Sequence, residues 1–489
     1  MAEPPMAEPP MTGPTAAAPT PRTLDELAEV VANGRVFRDG SVRVSAITHD
    51  SRRAGPGTLF CCVPGAVSDG HDHAPAAVEA GAAALVVERI LPLDVPQLLV
   101  ADARRAMGPL AAELWGRPSE HLDVVGVTGT SGKTTVTHLL AAVLESAGRT
   151  PALLGTLSGA RTTPEATDLQ ETLARFRAGG HDSVAMEVSS HALSLHRVDA
   201  TRFRVAVFTN LGRDHLDFHG TVESYFAAKA ELFRPERADA AVLCLDDPRG
   251  RLLAATVDLE VHGYRLGDAD DIRTDASGST FLWRGERVRL GLLGRHNVLN
   301  ALAAATTASV LGLADDEIAR GLDAAPAVPG RFEPVDAGQD FVVIVDYSHK
   351  PEALEHAIDA ARDLTAGAVH LVFGCGGDRD RTKRAPMGEI ASRLADTVVI
   401  TSDNPRSEDP AAIAADIRSG AKPRPGVTVE LDRRRAISQA VAAAEAGDVV
   451  LIAGKGHEAT QTIGDRVLPF DDRVVAAEEL AERGSGADA

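Results

Sequence analysis

The chain has 489 residues, of which 44% are hydrophobic and 25% are charged, and its formal net charge is −20. This length is enough for about three domains with buried cores. The composition excludes wholesale disorder and a membrane-embedded body. The acidic balance argues against a protein that grips nucleic acid or anionic lipid over a broad face.

The start of the chain and the cysteines indicate the compartment. Residues 1–22 are rich in Ala, Pro and Thr and lack the basic and apolar regions of a signal peptide, so we expect a disordered tail. The four cysteines form no CxxC pair and are too few for a disulfide framework. No run of 18 apolar residues predicts a membrane span. We therefore expect a cytoplasmic protein.

Two α/β domains are predicted in the first two thirds of the chain. Residues 23–119 mix short apolar runs with helical patches, which predicts a small N-terminal α/β domain. The central domain, residues 120–332, begins with a strand at 124–127, a Gly/Thr loop and an amphipathic helix at 134–147. Further central strands are predicted at residues 184–188, 205–209 and 241–245. This order is typical of a parallel sheet.

The last third, residues 333–489, alternates strands and helices. Strands are predicted at residues 341–345, 369–373, 397–400, 427–431 and 448–452, and helices at 351–362, 387–395, 410–418 and 434–446. The alternation predicts a doubly wound α/β domain, in which ligands bind at the carboxyl ends of strands. Loops rich in glycine and polar residues follow four of these strands directly, at residues 346–349, 374–379, 402–406 and 454–458.

The Gly/Thr loop of the central domain has the sequence of a phosphate-binding loop. Its residues are Gly129, Thr130, Ser131, Gly132, Lys133, Thr134 and Thr135. Backbone N–H groups and the helix N-terminus can cradle phosphates, while Lys133 would reach the terminal phosphates and Thr134 a Mg²⁺ ion. Val127 occupies the first glycine position of a strict GxxxxGK motif. A helix-capping glycine turn would explain the glycines, but not Lys133 followed by two threonines.

Two further polar strings follow predicted central strands. Glu187 and His191 lie in the string Met-Glu-Val-Ser-Ser-His, and a carboxylate at that sheet edge suits Mg²⁺. The alternative is a helix cap made by the serines. The string 210–217 is also dense in polar groups and contains His215. A loop whose polar groups satisfy one another is the alternative there.

Lysine is scarce in this chain. The 50 basic residues include only six lysines, which are Lys133, Lys229, Lys350, Lys383, Lys422 and Lys455. A lysine that remains where arginine serves as the general cation is a candidate for a role that needs a primary amine, although codon bias could also thin lysines. Lys229 lies in a helix of alanine and aromatic residues, where the usual interpretation is a solvated charge.

An ordered set of strings between Asp50 and Asp472 resembles the Mur ligases, ATP-dependent amide-bond-forming enzymes of bacterial cell-wall synthesis. The strings are DSR, GTSGKTT, RTTP, MEVSSHAL, FTNLGRDHLDFHGT, GRHN, PGRFE, VDYSHKPEAL, GCGGDRD, TSDNPRSEDP and AGKGHE. The resemblance implies a three-domain α/β fold. Its parts would be an N-terminal uridine-binding domain, a central P-loop parallel-sheet ATPase domain and a C-terminal Rossmann-like, doubly wound domain.

Within the family, the strings are most similar to the enzymes that add the third amino acid. The resemblance implies that meso-2,6-diaminopimelate is joined to UDP-N-acetylmuramoyl-L-alanyl-D-glutamate through an acyl phosphate. His215 or His349 is a candidate base for the attacking amine, and closure about a hinge at 331–333 is expected. The alternatives are an enzyme that adds L-lysine, a P-loop ATPase that joins no substrates, and an inactive scaffold protein.

The resemblance also implies roles for single residues. Thr134 and Glu187 would hold one Mg²⁺ ion, and His215 would hold a second together with a carbamate that CO₂ forms on Lys229. The ATP contacts beyond the phosphate loop would be Asn297, Arg331 and Asp346. The contacts to the UDP-muramoyl dipeptide would be Ser51, Thr162, Thr163, Ser189 and Arg197.

The pocket for the incoming amino acid follows from the same resemblance. Its residues would be Arg379, Asp403, Asn404, Pro405, Arg406, Gly454 and Glu458. Arg406 and Asn404 can grip the distal carboxylate of diaminopimelate, and Glu458 can accept from the distal ammonium group. L-Lysine lacks that carboxylate, so Arg406 would discriminate against it. We expect small-molecule substrates only, with no nucleic acid or membrane partner, and a monomer.

Overall fold

The computed structural model describes residues 17–65, 68–159, 161–275 and 277–487. Residues 1–16 of the predicted tail therefore lie outside the described residues. In its last part, the Thr20 N–H group donates to the Leu114 carbonyl oxygen at 2.8 Å, and Arg22 begins the first strand. The chain forms two compact units. The first runs to Tyr264 and includes Thr306–Gly312, and the second comprises Arg265–Ala305 and the chain from Leu313 onward.

The first unit begins with a five-stranded sheet. The elements of this part are β1 (Arg22–Thr23), α1 (Leu24–Glu29), β2 (Arg35–Phe37), β3 (Arg43–Val44), β4 (Ala46–Thr48), β5 (Thr58–Cys61), α2 (Ala74–Glu79), β6 (Ala84–Val87), β7 (Gln97–Leu99) and α3 (Ala103–Leu114). The strand order is β2-β7-β6-β5-β4, with β2 antiparallel to β7 and the other pairs parallel. Leucine, alanine and methionine side chains of α1 and α3 cover one face of this sheet.

A six-stranded parallel sheet completes the first unit. Its elements are β8 (Asp123–Thr128), α4 (Lys133–Ser146), β9 (Pro151–Leu154), α5 (Ala166–Ala178), β10 (Ser183–Glu187), α6 (Ser190–Ser194), β11 (Phe203–Phe208), α7 (Leu216–His219), α8 (Val222–Ala230), β12 (Ala238–Cys244), α9 (Pro248–Thr256) and β13 (Glu260–Tyr264). The strand order is β13-β12-β11-β8-β10-β9. β8 is buried almost throughout because helices cover parallel strands. β8 lies between β10 and β11 and runs parallel to both, so the carboxyl ends of these three strands lie side by side.

The second unit begins with an antiparallel meander followed by helices. Its elements are β14 (Ala269–Asp275), β15 (Gly278–Trp283), β16 (Glu286–Leu290), α10 (Arg295–Val310) and α11 (Asp315–Asp323). The residues of α10 beyond Ala305 belong to the first unit. Neither the meander nor these helices was predicted from the sequence.

A second six-stranded sheet forms the rest of the second unit. Its elements are β17 (Glu333–Val335), β18 (Val342–Asp346), α12 (Pro351–Arg362), β19 (Val369–Phe373), α13 (Arg384–Leu394), β20 (Thr397–Ile400), α14 (Pro410–Gly420), β21 (Val427–Val429), α15 (Arg433–Ala443), β22 (Val449–Ala453), β23 (Thr460–Ile463), β24 (Arg466–Pro469) and α16 (Asp472–Ala487). The strand order is β17-β18-β22-β19-β20-β21, and only β17 is antiparallel to its neighbour. β23 and β24 form a separate hairpin.

Helices cover both faces of this second sheet. Alternate residues of β22 show the division, since Leu451 packs with α12, α13 and α14 while Val450 and Ile452 pack with α15 and α16. The predicted doubly wound domain is therefore confirmed, and α12 and β19 have the predicted bounds. The predicted domain boundaries at 119 and 332 stay a prediction. No helix in the described part of the chain is long and apolar enough to cross a membrane.

Candidate active site

The phosphate-binding loop lies between β8 and α4 and depends on its glycines. Gly129 has a φ of +151°, and a Cβ there would lie 1.8 Å from the Thr209 Oγ1 atom, so only glycine fits. Gly132 has a φ of +85° and precedes the first helical residue, Lys133. The Lys133 Nζ atom donates to the carbonyl oxygens of Gly129 and Thr130 at 2.9 and 3.0 Å. The loop thus folds around its own lysine and presents the N-terminus of α4.

The residues after β11 support this loop. The Thr209 Oγ1 atom donates to the Ser131 carbonyl oxygen at 2.6 Å, and the Ser131 N–H group donates to the Asn210 Oδ1 atom at 3.0 Å. The Thr130 Oγ1 atom accepts from the Gly212 N–H group at 2.9 Å. The first residues of the polar string 210–217 therefore support the phosphate loop through hydrogen bonds, a role that the sequence did not reveal.

Oxygen atoms of α4 and β10 meet beside the loop. The Thr134 Oγ1 atom donates to the Glu187 Oε1 atom at 3.0 Å, and the Thr156 N–H group donates to the same oxygen at 2.8 Å. Glu187 is only 1% exposed, and a Cβ at Gly155 would lie 2.4 Å from its Oε1 atom. A buried carboxylate beside a hydroxyl is a donor set that Mg²⁺ prefers. These two residues fit the predicted magnesium site.

Lys229 is buried beside the phosphate loop. Its side chain is 1% exposed, and its Nζ atom donates to the Gly129 carbonyl oxygen at 2.7 Å. The same atom lies 4.6 Å from the centre of the Tyr225 ring. The interpretation of Lys229 as a solvated helical charge is therefore wrong. α8 carries this lysine inward, because the helix buries the face that holds Tyr225 and Lys229.

A cluster of imidazole and aromatic rings includes Tyr225, the ring that contacts this lysine. His215 has a φ of +52°, and its ring centre lies 6.1 Å from that of Tyr225. The His191 ring centre lies 4.6 Å from that of His215. Within the described residues, no group of three or more His, Cys, Asp or Glu side chains is arranged to hold a metal ion. A second Mg²⁺ ion held by His215 and a carbamate on Lys229 stays a prediction.

Four of the predicted dipeptide contacts lie together next to β10. The Thr163 Oγ1 atom donates to the Glu187 carbonyl oxygen at 2.8 Å and accepts from the Ser189 N–H group at 3.1 Å. The Arg197 Nη1 atom donates to the Thr163 carbonyl oxygen at 3.3 Å. The Thr162 Oγ1 atom lies 3.1 Å from that of Thr156. These residues thus lie at the same strand end as Glu187, a residue of the predicted magnesium site.

Ser51, the fifth predicted dipeptide contact, belongs to the N-terminal part of the first unit. It begins a single helical turn after β4, and the Asp50 side chain accepts from the Arg52 N–H group at that turn. The next residue, Arg53, donates to an Asp168 carboxylate oxygen on α5 at 2.6 Å. The turn that carries Ser51 is therefore anchored to the central part of the unit.

The predicted amino-acid pocket lies in the second unit, at the carboxyl ends of β20 and β22. The Asn404 Nδ2 atom donates to the Glu458 Oε2 atom at 2.7 Å. The Arg406 Nη1 atom donates to the Gly377 carbonyl oxygen at 2.8 Å. Burial and the neighbouring Asp403 raise the pKa of the Glu458 carboxyl. The loop 402–406 and the loop 454–458 therefore meet through an amide and a carboxylate.

Close backbone approaches shape the rest of this pocket. Gly454 has a φ of +117°, and a Cβ there would lie 2.8 Å from the Asp403 Oδ2 atom. A Cβ at Gly377 would lie 1.8 Å from the Pro405 carbonyl oxygen. Arg379 lies in the adjacent loop and its side chain is exposed. The glycines of the two loops therefore let three backbone segments converge at one edge of the sheet.

The three nucleotide contacts predicted outside the phosphate loop have structural partners. The Asp346 carboxylate accepts from the N–H groups of Phe332 and Ser348, each at 2.8 Å. The Arg331 guanidinium lies 4.6 Å from the centre of the Tyr347 ring. Asn297 is 2% exposed, and its Nδ2 atom donates to the Leu293 carbonyl oxygen at 2.9 Å. A role for these residues in binding ATP stays a prediction.

His349 is a poor candidate for the amine base. Its Nδ1 atom lies 2.7 Å from the Tyr347 carbonyl oxygen, which accepts its proton. Burial, with help from Lys350 and Lys383, lowers the pKa of His349 to about 3. An imidazole with so low a pKa takes up a proton weakly at neutral pH, which leaves His215 as the histidine considered for this role.

The fold and the site define an α/β enzyme that uses a nucleoside triphosphate through a phosphate loop. Three family models match the chain: "Mur ligase family, catalytic domain" at residues 43–113, "Mur ligase middle domain" at 127–308 and "Mur ligase, glutamate ligase domain" at 330–456. The chain belongs to the Mur ligase family. It is accordingly an ATP-dependent, ADP-forming amide ligase.

Individual relatives cover nearly the whole chain. It is 47% identical to the UDP-N-acetylmuramoyl-L-alanyl-D-glutamate–2,6-diaminopimelate ligase of Streptomyces coelicolor, over 94% of this chain and 96% of that one. It is 44% identical to the ligase of the same name from Geobacillus kaustophilus, over 92% and 97%. A solved structure of a ligase with that name superposes with a TM-score of 0.69 at 30% identity, over 95% of this chain and 100% of that one.

Proposed function

We propose that the chain adds meso-2,6-diaminopimelate to UDP-N-acetylmuramoyl-L-alanyl-D-glutamate in cytoplasmic peptidoglycan precursor synthesis. The observation that carries the proposal is the pocket of the second unit, where Asn404, Arg406 and Glu458 bring an amide, a guanidinium and a carboxylate to one sheet edge. This is the chemistry that a second zwitterionic centre requires. Relatives 42–47% identical over most of the chain carry the name of that activity.

The first step transfers the γ-phosphoryl group of ATP to the D-glutamate side-chain carboxylate. The bond between the γ-phosphorus and the bridging oxygen breaks, a bond to the carboxylate oxygen forms, and ADP and an acyl phosphate result. Lys133 and the N–H groups at the start of α4 stabilise the negative charge on the transferring oxygens. Mg²⁺ bound at Thr134 and Glu187 would supply further charge neutralisation.

The second step forms the amide bond. The neutral amine of diaminopimelate attacks the acyl carbon, the carbon–oxygen bond to phosphate breaks, and the amine gives its proton to a base. Arg406 and Asn404 bind the distal carboxylate, and Glu458 accepts from the distal ammonium group. Binding both ends of the amino acid holds its reactive amine in position.

Lys229 fits a carbamate in this proposal. Its Nζ atom lies beside the Gly129 carbonyl oxygen in a buried site, and a nearby His215 ring would share a metal ion with it. CO₂ adds to the neutral amine, a carbon–nitrogen bond forms and one proton leaves. The product is an anion with two oxygen ligands, which an arginine at this position could not become.

The decisive experiment is an amino-acid panel that measures ADP release with ATP, Mg²⁺ and the UDP-muramoyl dipeptide. We expect release that requires both the dipeptide substrate and meso-diaminopimelate. ADP release at one basal rate, whatever is added, would instead indicate a P-loop ATPase that joins nothing. Turnover with L-lysine and not with diaminopimelate would identify the lysine-adding activity. Light scattering during the same preparation would test the expected monomer.

A further inference from the structure

The hairpin of β23 and β24 has no part in the site described so far. It follows the loop 454–458 directly and pairs with no strand of the six-stranded sheet. Gly464 begins its two-residue turn with a φ of +57°. Val467 on its second strand is 63% exposed, so the hairpin is not a core element. Its first strand contacts residues 403–406 of the pocket loop 402–406.

The hairpin binds Arg406 on both sides through its backbone. The Arg406 N–H group donates to the Thr462 carbonyl oxygen at 3.0 Å, and the Arg406 carbonyl oxygen accepts from the Gly464 N–H group at 2.7 Å. Arg406 has a φ of +54°, which is unfavourable for a residue with a long side chain. Such a conformation persists only where the surroundings impose it. The hairpin supplies that constraint.

The hairpin also sets the orientation of Asn404. The Thr462 N–H group can only donate, and it lies 2.9 Å from the Asn404 side chain, so the atom facing it is Oδ1. The amide nitrogen of Asn404 must then face the Glu458 carboxylate, to which it donates. A single backbone group of the hairpin thus fixes which end of Asn404 points toward Glu458.

One hairpin side chain completes the attachment. The Gln461 Nε2 atom donates to the Asp403 carbonyl oxygen at 2.7 Å. Gln461 is 7% exposed, so water competes little for this bond. The buried Lys455 adds a bond from its Nζ atom to the Thr460 carbonyl oxygen and an ion pair with Glu458 at 3.5 Å. Both ends of strand β23 are therefore attached to the pocket.

We propose that the hairpin 460–469 is a positioning element of the amino-acid pocket, and that Gln461 is the positioning residue through which it controls selection of the distal carboxylate. This inference rests on the proposed function. Without the Gln461 bond, the attachment of β23 to the pocket loop weakens, and so does the constraint that holds Arg406 at positive φ. Its guanidinium then leaves the position that meets a distal carboxylate. L-Lysine has no such carboxylate, so its poor turnover changes little.

The test compares Gln461→Ala and Gln461→Glu with Val467→Thr, an exposed change in the same hairpin. Glutamate keeps the size of Gln461 but cannot donate when ionised. We expect the KM for meso-diaminopimelate to rise roughly tenfold in both Gln461 variants, with kcat and the KM for ATP within about twofold of the parent. The preference for diaminopimelate over L-lysine should fall by a similar factor. Val467→Thr should leave all these values unchanged.

The outcomes separate this inference from the proposed function. A parent enzyme without diaminopimelate-dependent ADP release would overturn the function itself. A parent enzyme with that activity, and Gln461 variants with unchanged KM and selectivity, would overturn only the role of the hairpin. An equal loss of kcat, ATP affinity and melting temperature would show that Gln461 serves general stability and would also refute the inference. If Gln461→Ala fails to fold, Gln461→Glu decides.

Discussion

The roles of single residues depend on the chemical form that a side chain can take and on the space that it occupies. Lys229 is enclosed by the phosphate loop and the Tyr225 ring. Gly129 and Gly454 occupy conformations and spaces that a side chain would disturb. Burial of the Glu458 carboxyl disfavours its charged form and raises its pKa.

Replacing Lys229 should remove nearly all activity. In Lys229→Ala and in Lys229→Arg we expect kcat to fall by on the order of 10²–10³-fold, since neither side chain can carry a carbamate for the metal ion. Depleting CO₂ should lower the activity of the parent enzyme, and bicarbonate should restore it. The direct measurement is the carbamate carbon signal by NMR after incubation with ¹³C-bicarbonate.

The matched control for that experiment is Lys422→Ala, which removes an exposed lysine. It should leave both the activity and the carbamate signal unchanged. A fully active Lys229→Ala enzyme would contradict the carbamate role, and a carbamate signal that survives in that variant would assign the modification to another amine.

The affinity for diaminopimelate should depend on pH through Glu458. Burial and Asp403 raise the pKa of this carboxyl, so Glu458 takes up a proton at a higher pH than an ordinary glutamate. A protonated Glu458 attracts the distal ammonium group less. We therefore expect the KM for diaminopimelate to increase as the pH falls from neutral into the mildly acidic range. In Glu458→Gln the KM should be higher throughout, and a pH profile as steep as that of the parent would assign the titration to another group.

At the scale of elements, a buried ion pair joins two helices behind the pocket. Arg433 at the start of α15 and Asp472 at the start of α16 are both 0% exposed, and their closest atoms lie 2.6 Å apart. Arg433 also donates to the carbonyl oxygens of Ser402, the first residue of the loop 402–406, and of Ala453, which directly precedes the loop 454–458. The helices on one face of the sheet thus connect to the loops at its edge.

Removing one partner of this pair should destabilise the second unit. Asp472→Ala leaves the Arg433 charge buried without its carboxylate, which costs about 3–5 kcal/mol. We expect a lower free energy of unfolding in urea, together with a higher KM for diaminopimelate because the loops lose their support. Glu478→Ala is the control, since it removes a half-exposed partner of Arg434 and should cost less than about 1 kcal/mol. Similar losses in the two variants would disprove the special weight of the buried pair.

At the scale of the whole molecule, the residues predicted to bind the phosphates of ATP and the residues predicted to bind the amino acid belong to different units. The phosphate loop and the Thr134–Glu187 pair lie in the first unit, while Asn404, Arg406 and Glu458 lie in the second. The chain as a whole carries a net charge of −20, although ATP and the UDP-muramoyl dipeptide are anions. We therefore expect recognition to depend on local donors such as Lys133 and Arg406, and not on a general positive field.

This division predicts separable defects. Arg406→Ala should weaken the preference for diaminopimelate over L-lysine by at least roughly tenfold, since a charge-assisted hydrogen bond to the distal carboxylate is lost. Binding of MgATP, followed by calorimetry, should remain as in the parent. Arg418→Ala, an exposed change on α14, should alter neither quantity. An unchanged amino-acid preference in Arg406→Ala would show that the pocket has been assigned to the wrong residues.

The sequence by itself determined the parallel sheets, the loops at their carboxyl ends and the family. Periodicity reports which faces are buried, and a phosphate loop is a local string whose glycines and lysine are adjacent in the chain. α12 and β19 were predicted to the residue for that reason. The roles of the site residues in binding and catalysis stay predictions.

Only the tertiary structure decided the features that depend on distant segments. Contacts of Lys229 with Gly129, of Thr156 with Glu187 and of the hairpin with the pocket loop join residues that the sequence leaves far apart. The meander 269–290 and the hairpin were missed because short, half-exposed antiparallel strands give weak hydrophobic patterns. Lysine scarcity made Lys229 a candidate for an unusual role. Its burial, set by the packing of α8 against the phosphate loop, is what excludes a solvated charge.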